Sequence, residues 1–483
     1  MLQTIINAWK IADLRKKILF TAMILLVFRI GSAITIPFVN IGEGGIIPDS
    51  ATDSSFLSYL NMMTGNAFNY GTILAMSITP YINSSIIMQL LTVAIPALER
   101  LSKEGEEGRK KIATITRYVT IGLGLMQSTA YYFYLRNGGG GSSDATTFLQ
   151  TQADGSFFTG FTGVLQALVI ISVLTAGAGL TMWLGERIND KGIGNGVSIL
   201  LFAGIVARIP QLATSLFSWQ QPVDAVTGAK GMYVGYFWRG GPYYFLAPLA
   251  ALGLLGIIAF IVWMDNAERR IPVQYAKRVV GRKMYGGQST HIPIKVNMSG
   301  VMPVIFASSI LSLPPTIEMF ITRSKMTPGL KSFFGVFQQD NWAYLFIYFV
   351  LIIGFAYFYS SIQYDPVEMS NNIRKNSGTI PGYRPGQPTA DYIKRILGRI
   401  TLLGALLLSV VALFPILFTL ISSPILLAGH IPQVTNSYGD LKDPTMSIAM
   451  GGTSIIIMVG VALETVKQLE SQMMMRHYKG FLD

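Results

Sequence analysis

The chain has 483 residues, of which 51% are hydrophobic and only 13% charged, at a mean hydropathy of +0.46; soluble domains carry about 25% charged residues. That composition excludes an ordinary soluble domain and predicts an all-α polytopic membrane protein, with room for roughly ten spans of about 20 residues. The net charge of +12 then reads as a basic membrane-surface face rather than a nucleic-acid site, and the absence of Cys excludes disulfides and thiolate metal sites.

Residues 1–17 are too polar before the first apolar run to form a cleavable leader. Apolar runs predict spans at 18–37, 72–95, 115–135, 161–184, 196–217, 244–264, 299–319, 342–362, 397–420 and 446–466. An even number of spans puts both termini on one side. Of the 37 Lys and Arg residues, 28 fall on that side and 8 on the other, which orients both termini toward the cytoplasm. Between the first two spans, Phe56–Phe68 has helical apolar spacing but is too short to cross. It reads equally as an interfacial turn or as a re-entrant segment, which requires surrounding protein or water.

The second span carries Thr79, Asn83, Ser84, Ser85 and Gln89, too polar to face lipid all round, and Pro80 is expected to loosen its helix. Ile82 and Ile86 lie one turn apart on one face, as do Val197 and Leu201. Residues 136–160 form a Gly- and Ser-rich outer loop. Five spans (1–217), an outer linker (218–243) and five more spans (244–483) make two halves that enter the membrane in opposite directions. That is the arithmetic of an inverted repeat, with a path expected between the halves, although no clear sequence repeat accompanies it.

Past the sixth span, residues 265–298 hold Arg269, Arg270, Lys277, Arg278, Arg282, Lys283 and Lys295 against Asp265 and Glu268. Flanked by spans, this stretch predicts a basic hairpin over the cytoplasmic surface, where a large partner docks. The seventh span repeats the polarity of the second with Pro303, Ser308, Ser309 and Ser312. Arg29 and Glu464, near span ends, are expected to snorkel to an interface. No phosphate loop, HExxH or GxSxG motif occurs, and His291, His430 and His477 are scattered. The expectation is therefore no enzyme, no cofactor and no metal. An ion-coupled transporter would need midplane ionisable residues, and an intramembrane protease a catalytic dyad; the spans supply neither.

Several runs resemble the SecY family, the channel-forming subunit of the protein-conducting translocon. They are Thr79–Leu91, Lys103–Ile112, Gly192–Ala207, Ser289–Ser309, Ile380–Ile393, Gly451–Gln472 and Met475–Phe481, in family order over nearly the whole chain. The sequence departs from the family at Ile36–Asn40 and in the outer loops 137–160 and 421–446. The resemblance implies two five-helix halves around an hourglass pore in a bacterial cytoplasmic membrane. It implies a constricting ring of Ile82, Ile86, Val197, Leu201, Ile305 and Ile457, and a re-entrant plug helix near 56–68 that includes Phe56, Leu57, Leu60 and Met63. It implies a lateral gate, with Asn83, Gln127, Ser308 and Ser309 as polar contacts across it. Docking of a SecA motor ATPase or a ribosome is implied at Arg269, Arg270, Arg278, Arg282 and Lys283, and at Arg384 in the loop 363–396. The implied partners also include SecE-like and SecG-like small membrane subunits, a substrate polypeptide bearing a signal peptide, and anionic lipids.

Overall fold

The computed structural model describes residues 2–39, 61, 63–136, 149, 161–210, 219–221, 233–234, 243–275, 278–280, 283–285, 289–318, 328–337, 341–428, 434–435, 441–442 and 452–479. Helices dominate. They are α1 (Leu2–Lys10), α2 (Ala12–Gly31), α3 (Thr79–Ala94), α4 (Pro96–Lys103), α5 (Glu106–Arg136), α6 (Phe161–Lys191) and α7 (Gly196–Val206) in the first part of the chain. There follow α8 (Tyr243–Asn266), α9 (Met302–Leu311), α10 (Leu313–Glu318), α11 (Pro328–Gly335), α12 (Trp342–Gln363), α13 (Pro366–Lys375), α14 (Gln387–Ala428) and α15 (Gly452–Lys479).

Each of the ten expected apolar segments falls on a helix. Among the described residues, five helices are long and apolar enough to cross a membrane: α6, α8, α12 continuing into α13, α14 and α15. The pair α3 and α4 qualifies jointly but bends by 106° at Ile95, where Pro96 opens the second helix. Polar caps define other starts. Asn195 Oδ1 accepts the Val197 and Ser198 amides at the head of α7, and Asp365 does the same for Val367 and Glu368 at the head of α13.

The two halves pack alike. In the first, α3 lies on α5, α5 on α6, α6 on α7, and α2 on both α6 and α7. In the second, α9 lies on α12, α12 on α14, α14 on α15, and α8 on both α14 and α15. The halves meet where α1 and α7 pack on α15 and where α10 touches α5. The main apolar core runs through both halves, with Phe28, Ile188 and Leu200 from the first and Val304, Phe306, Ile352 and Ile456 from the second.

Two differences from the expected spans have local causes. The helix of the second span begins only at Thr79, after turns over 73–78 in which Ser77 has φ of +47°. Pro80 therefore sits in the first turn, where its missing N–H breaks no hydrogen bond, and does not loosen the helix. The seventh span is divided at Ser312, ahead of Pro314 and Pro315, into α9 and the short α10.

Short strands complete the fold. β1 (Trp219–Gln221) pairs with β2 (Tyr233–Val234), and β8 (Val434–Thr435) with β9 (Leu441–Lys442). Between α8 and α9, β3 (Glu268–Tyr275) pairs antiparallel with β6 (Ser289–Lys295), and β4 (Arg278–Val280) with β5 (Lys283–Tyr285). β7 (Gly378–Thr379) adds to the far edge of β3, giving a sheet of order β6-β3-β7.

Candidate functional site

A cavity of about 770 Å³ opens between the halves. One wall comes from α3 (Tyr81, Ile82, Ser85, Ile86, Gln89) and α7 (Val197, Ser198, Leu201), the facing one from α9 (Met302, Ile305, Phe306), α12 (Tyr359, Gln363) and α15 (Leu463, Glu464, Lys467). Asp265, Lys295 and Asn297, next to the basic hairpin, also line it. Its lining thus combines charged and amide side chains with aliphatic ones.

The six ring candidates all belong to the main apolar core. Ile82, Ile86, Leu201, Ile305 and Ile457 are buried members of one apolar cluster, and the half-buried Val197 packs against it. They come from four helices, α3, α7, α9 and α15, and so from both halves. All but Ile457 line the cavity. Met63, the plug candidate within the described residues, is buried in the same cluster; Phe56, Leu57 and Leu60 lie outside the described residues. Gly204, about one helical turn beyond Leu201 on α7, would place a Cβ only 2.6 Å from the Met63 carbonyl oxygen. Met63 therefore reaches the cluster from the side away from the cavity.

The gate candidates are placed less uniformly. Asn83 is buried on α3 with its Oδ1 lacking a partner among the described residues. Ser308 is buried on α9, its hydroxyl donating to the Ile305 carbonyl at 2.9 Å. Ser309 and Gln127 are half-buried. A polar contact of α3 that the sequence reading did not single out runs within the first half, where the Ser84 and Thr120 hydroxyls lie 2.5 Å apart. Nothing in the polarity of α3 alone tells which neighbour a given serine meets.

Three of the docking candidates, Arg269, Arg270 and Arg384, lie on one platform. Ile271 and Val273 of β3, Ile294 of β6 and Met298 bury against Ile373 of α13, Ile380, and Ile393 and Leu397 of α14. Arg269 and Arg270 remain exposed on β3. Arg278 and Lys283 open β4 and β5, whose backbones pair Arg278 with Tyr285 and Val280 with Lys283; Arg282 lies outside the described residues. Arg384 is exposed on a turn held from beneath. The buried Thr389 hydroxyl donates to the Arg384 carbonyl and the buried Ser370 hydroxyl to the Gly386 carbonyl, both at 2.8 Å. Tyr383 stacks on Tyr392 with ring centroids 4.1 Å apart.

The two charges near span ends have protein neighbours. Glu464 lines the cavity, and the Arg29 guanidinium reaches the Gly65 turn, where a Cβ would meet its Nη1 at 3.1 Å. Among the described residues no group of three or more His, Cys, Asp or Glu side chains is arranged to hold a metal ion.

The sequence pattern of the SecY family matches residues 72–466. The chain belongs to the SecY family. It is 42% identical over 490 residues to the protein translocase subunit SecY of Mycobacterium bovis, with 100% of both chains covered. It is 41% identical over 485 residues to that of Streptomyces scabiei, again with 100% of both covered. Against the SecY of Thermotoga maritima the identity is 39%, covering 100% of this chain and 98% of the other. Its fold is similar to a solved structure described as that of a protein conducting channel, at a TM-score of 0.56 and 17% identity, over 95% of this chain and 92% of that one. A second similar structure concerns the plug domain of a SecY protein in the closed state of its channel, at a TM-score of 0.55 and 16% identity, over the same shares. SecY-family membership and the apolar helices together make this a multi-pass membrane protein.

Proposed function

We propose that this chain is a protein-conducting channel. It passes unfolded secretory polypeptides across the bacterial cytoplasmic membrane and releases apolar segments sideways into lipid. The observation that carries the reading is a cavity lined by five aliphatic side chains from both halves, Ile82, Ile86, Val197, Leu201 and Ile305, with Ile457 buried in the same apolar cluster. A narrow aliphatic ring dewets and blocks ions. It also forms no sequence-specific hydrogen bonds, so polypeptides of any sequence slide past it. The halves, 1–217 and 244–483 joined by 218–243, part along the seam between α3 and α9. There an apolar stretch of about 20 residues gains by leaving for lipid.

The chain itself is not an enzyme in this reading. Movement is driven by a SecA-like motor ATPase or a ribosome docked on the basic platform, with both termini and the platform in the cytoplasm. Support for the ribosome comes from a similar solved structure described as Sec61 in the canine ribosome-channel complex, at a TM-score of 0.53 and 16% identity. The exposed Arg269, Arg270 and Arg384 suit acidic protein or phosphate-rich RNA. SecE-like and SecG-like subunits complete the complex, and anionic lipids neutralise the basic face.

The test is ion efflux from vesicles containing the reconstituted complex. Ile86→Ser combined with Ile457→Ser wets the ring and raises resting efflux, whereas Ile86→Val with Ile457→Val, still aliphatic, does not. Equal efflux from both pairs and the parent removes these residues from the barrier.

A further inference from the structure

On the side of the ring away from the cavity, residues 61 and 63–72 are tied into a compact knot. The Asn61 amide nitrogen donates to Asn66 Oδ1 at 3.0 Å, and Asn61 Oδ1 accepts the Asn69 amide at 3.2 Å. The Asn61 carbonyl accepts the Thr64 hydroxyl at 3.2 Å and the Asn66 amide at 3.1 Å. Thr64 Oγ1 in turn accepts the Phe68 amide at 3.1 Å. Asn61, Thr64, Phe68 and Asn69 are all buried, so these bonds are shielded from competing water.

The knot is fastened at two places. Tyr131 of α5, 0% exposed, donates its hydroxyl to the Phe68 carbonyl at 2.7 Å, and the two rings lie 4.6 Å apart. Gly65, with φ of +63°, lies so close to α7 that a Cβ would stand 2.7 Å from the Gly204 carbonyl oxygen. Between these fastenings Met63 reaches the cluster that contains the ring. Tyr131 contributes nothing to the ring, whose side chains come from α3, α7, α9 and α15.

We infer that Tyr131 and Asn61 are positioning residues for the outer seal, holding Met63 against the ring in the resting channel. The inference rests on the pore reading above. Withdrawing Met63 from the ring requires the knot to leave its seat or to come undone. The first breaks the Tyr131 hydroxyl bond and the second the Asn61 bonds. Each way for Met63 to leave breaks one of these sets of bonds, so both sets together favour the seated conformation. A buried neutral hydrogen bond contributes about 1 kcal/mol net, which converts to roughly fivefold in the seated-to-unseated ratio.

The test uses the reconstituted complex with its companion subunits. Tyr131→Phe keeps the ring and loses the hydroxyl; it is expected to raise resting ion efflux roughly fivefold. Asn61→Ala, which removes two side-chain bonds, raises it further. Thr64→Val raises efflux while Thr64→Ser restores it, because only the hydroxyl matters. A second readout isolates position from stability. The chain has no Cys, so Met63→Cys gives a unique thiol. Its labelling by an impermeant reagent from the outer side accelerates in the Tyr131→Phe background.

Unchanged efflux and labelling in Tyr131→Phe and Asn61→Ala overturn the inference. If Ile86→Ser with Ile457→Ser still leaks in the same vesicles, the inference falls alone. If that pair also stays tight, the pore reading falls with it.

Discussion

Replacing Gly404 by alanine tests how the β3–β6 platform is joined to the second half. An ideal Cβ at Gly404, on α14, lies 2.4 Å from the Val296 carbonyl oxygen and 3.3 Å from its carbon. An ordinary contact is about 3.5 Å or more, so the backbone must retreat by roughly 1 Å. Val296 is poorly able to give, because its amide donates to the Ala267 carbonyl at 2.9 Å and its neighbour Asn297 donates to Asp265 at 2.8 Å. Overpacking of this kind costs about 1–3 kcal/mol. Alanine also gains about 1 kcal/mol over glycine in a helix. Gly398→Ala on the same helix provides the control, since nothing lies within 4 Å of its Cβ. Gly398→Ala should therefore match or exceed the parent in stability, and Gly404→Ala should fall below Gly398→Ala by about 1–3 kcal/mol. Thermal unfolding of the purified complex measures the difference. The same comparison on α6 sets Gly177, whose Cβ would stand 2.0 Å from the Ile73 carbonyl oxygen, against the open Gly179. Equal melting of Gly404→Ala and Gly398→Ala, repeated in Gly177→Ala and Gly179→Ala, refutes the close approaches.

Three further outcomes follow from named contacts. Arg384→Glu reverses an exposed charge on a held turn; motor- or ribosome-stimulated export should drop while the spans insert normally, and salt titration of binding should show a shallower slope than the parent. Thr389→Val removes the bond to the Arg384 carbonyl and should weaken the same binding without charge change, with Thr389→Ser restoring it. Asn195→Ala removes the cap of α7, costing about 1 kcal/mol, and should lower the unfolding temperature; a melt identical to the parent would show that the cap contributes nothing.

Hydropathy made the helices legible because a bilayer leaves a chain few alternatives: an apolar run of about 20 residues must satisfy its own backbone. It could not say which way a single side chain faces within the bundle. Arg29 and Glu464 read as snorkelling charges for that reason, and only their neighbours show one on the Gly65 turn and the other in the cavity. The pairing of β7 with β3 was also out of reach. Two residues at 378–379 carry no strand pattern of their own, and their partner lies a hundred positions earlier in the chain. Ser84 and Thr120 meet across α3 and α5 for reasons that a polar residue list does not contain.

The repeat between the halves is the instructive case, because it is present in the residues at very low density. Pro80, Ile82 and Ser85 occupy the same positions on α3 that Pro303, Ile305 and Ser308 occupy on α9. Ser77 and Gly300, each two residues before its helix, both have positive φ, at +47° and +60°. Ile73 and Val296, each six residues before its helix, turn a carbonyl onto a glycine of α6 or α14. Most of the shared features sit where the backbone is constrained: a proline in a first turn, a left-handed residue at a sharp entry, a glycine under a carbonyl. The side chains between them are free to diverge because each packs against a different neighbour, so overall similarity fades while the constrained positions stay. Both helices are thus entered by a left-handed turn seated on the same kind of glycine contact. That gives α3 and α9, which face each other across the cavity, matching entries.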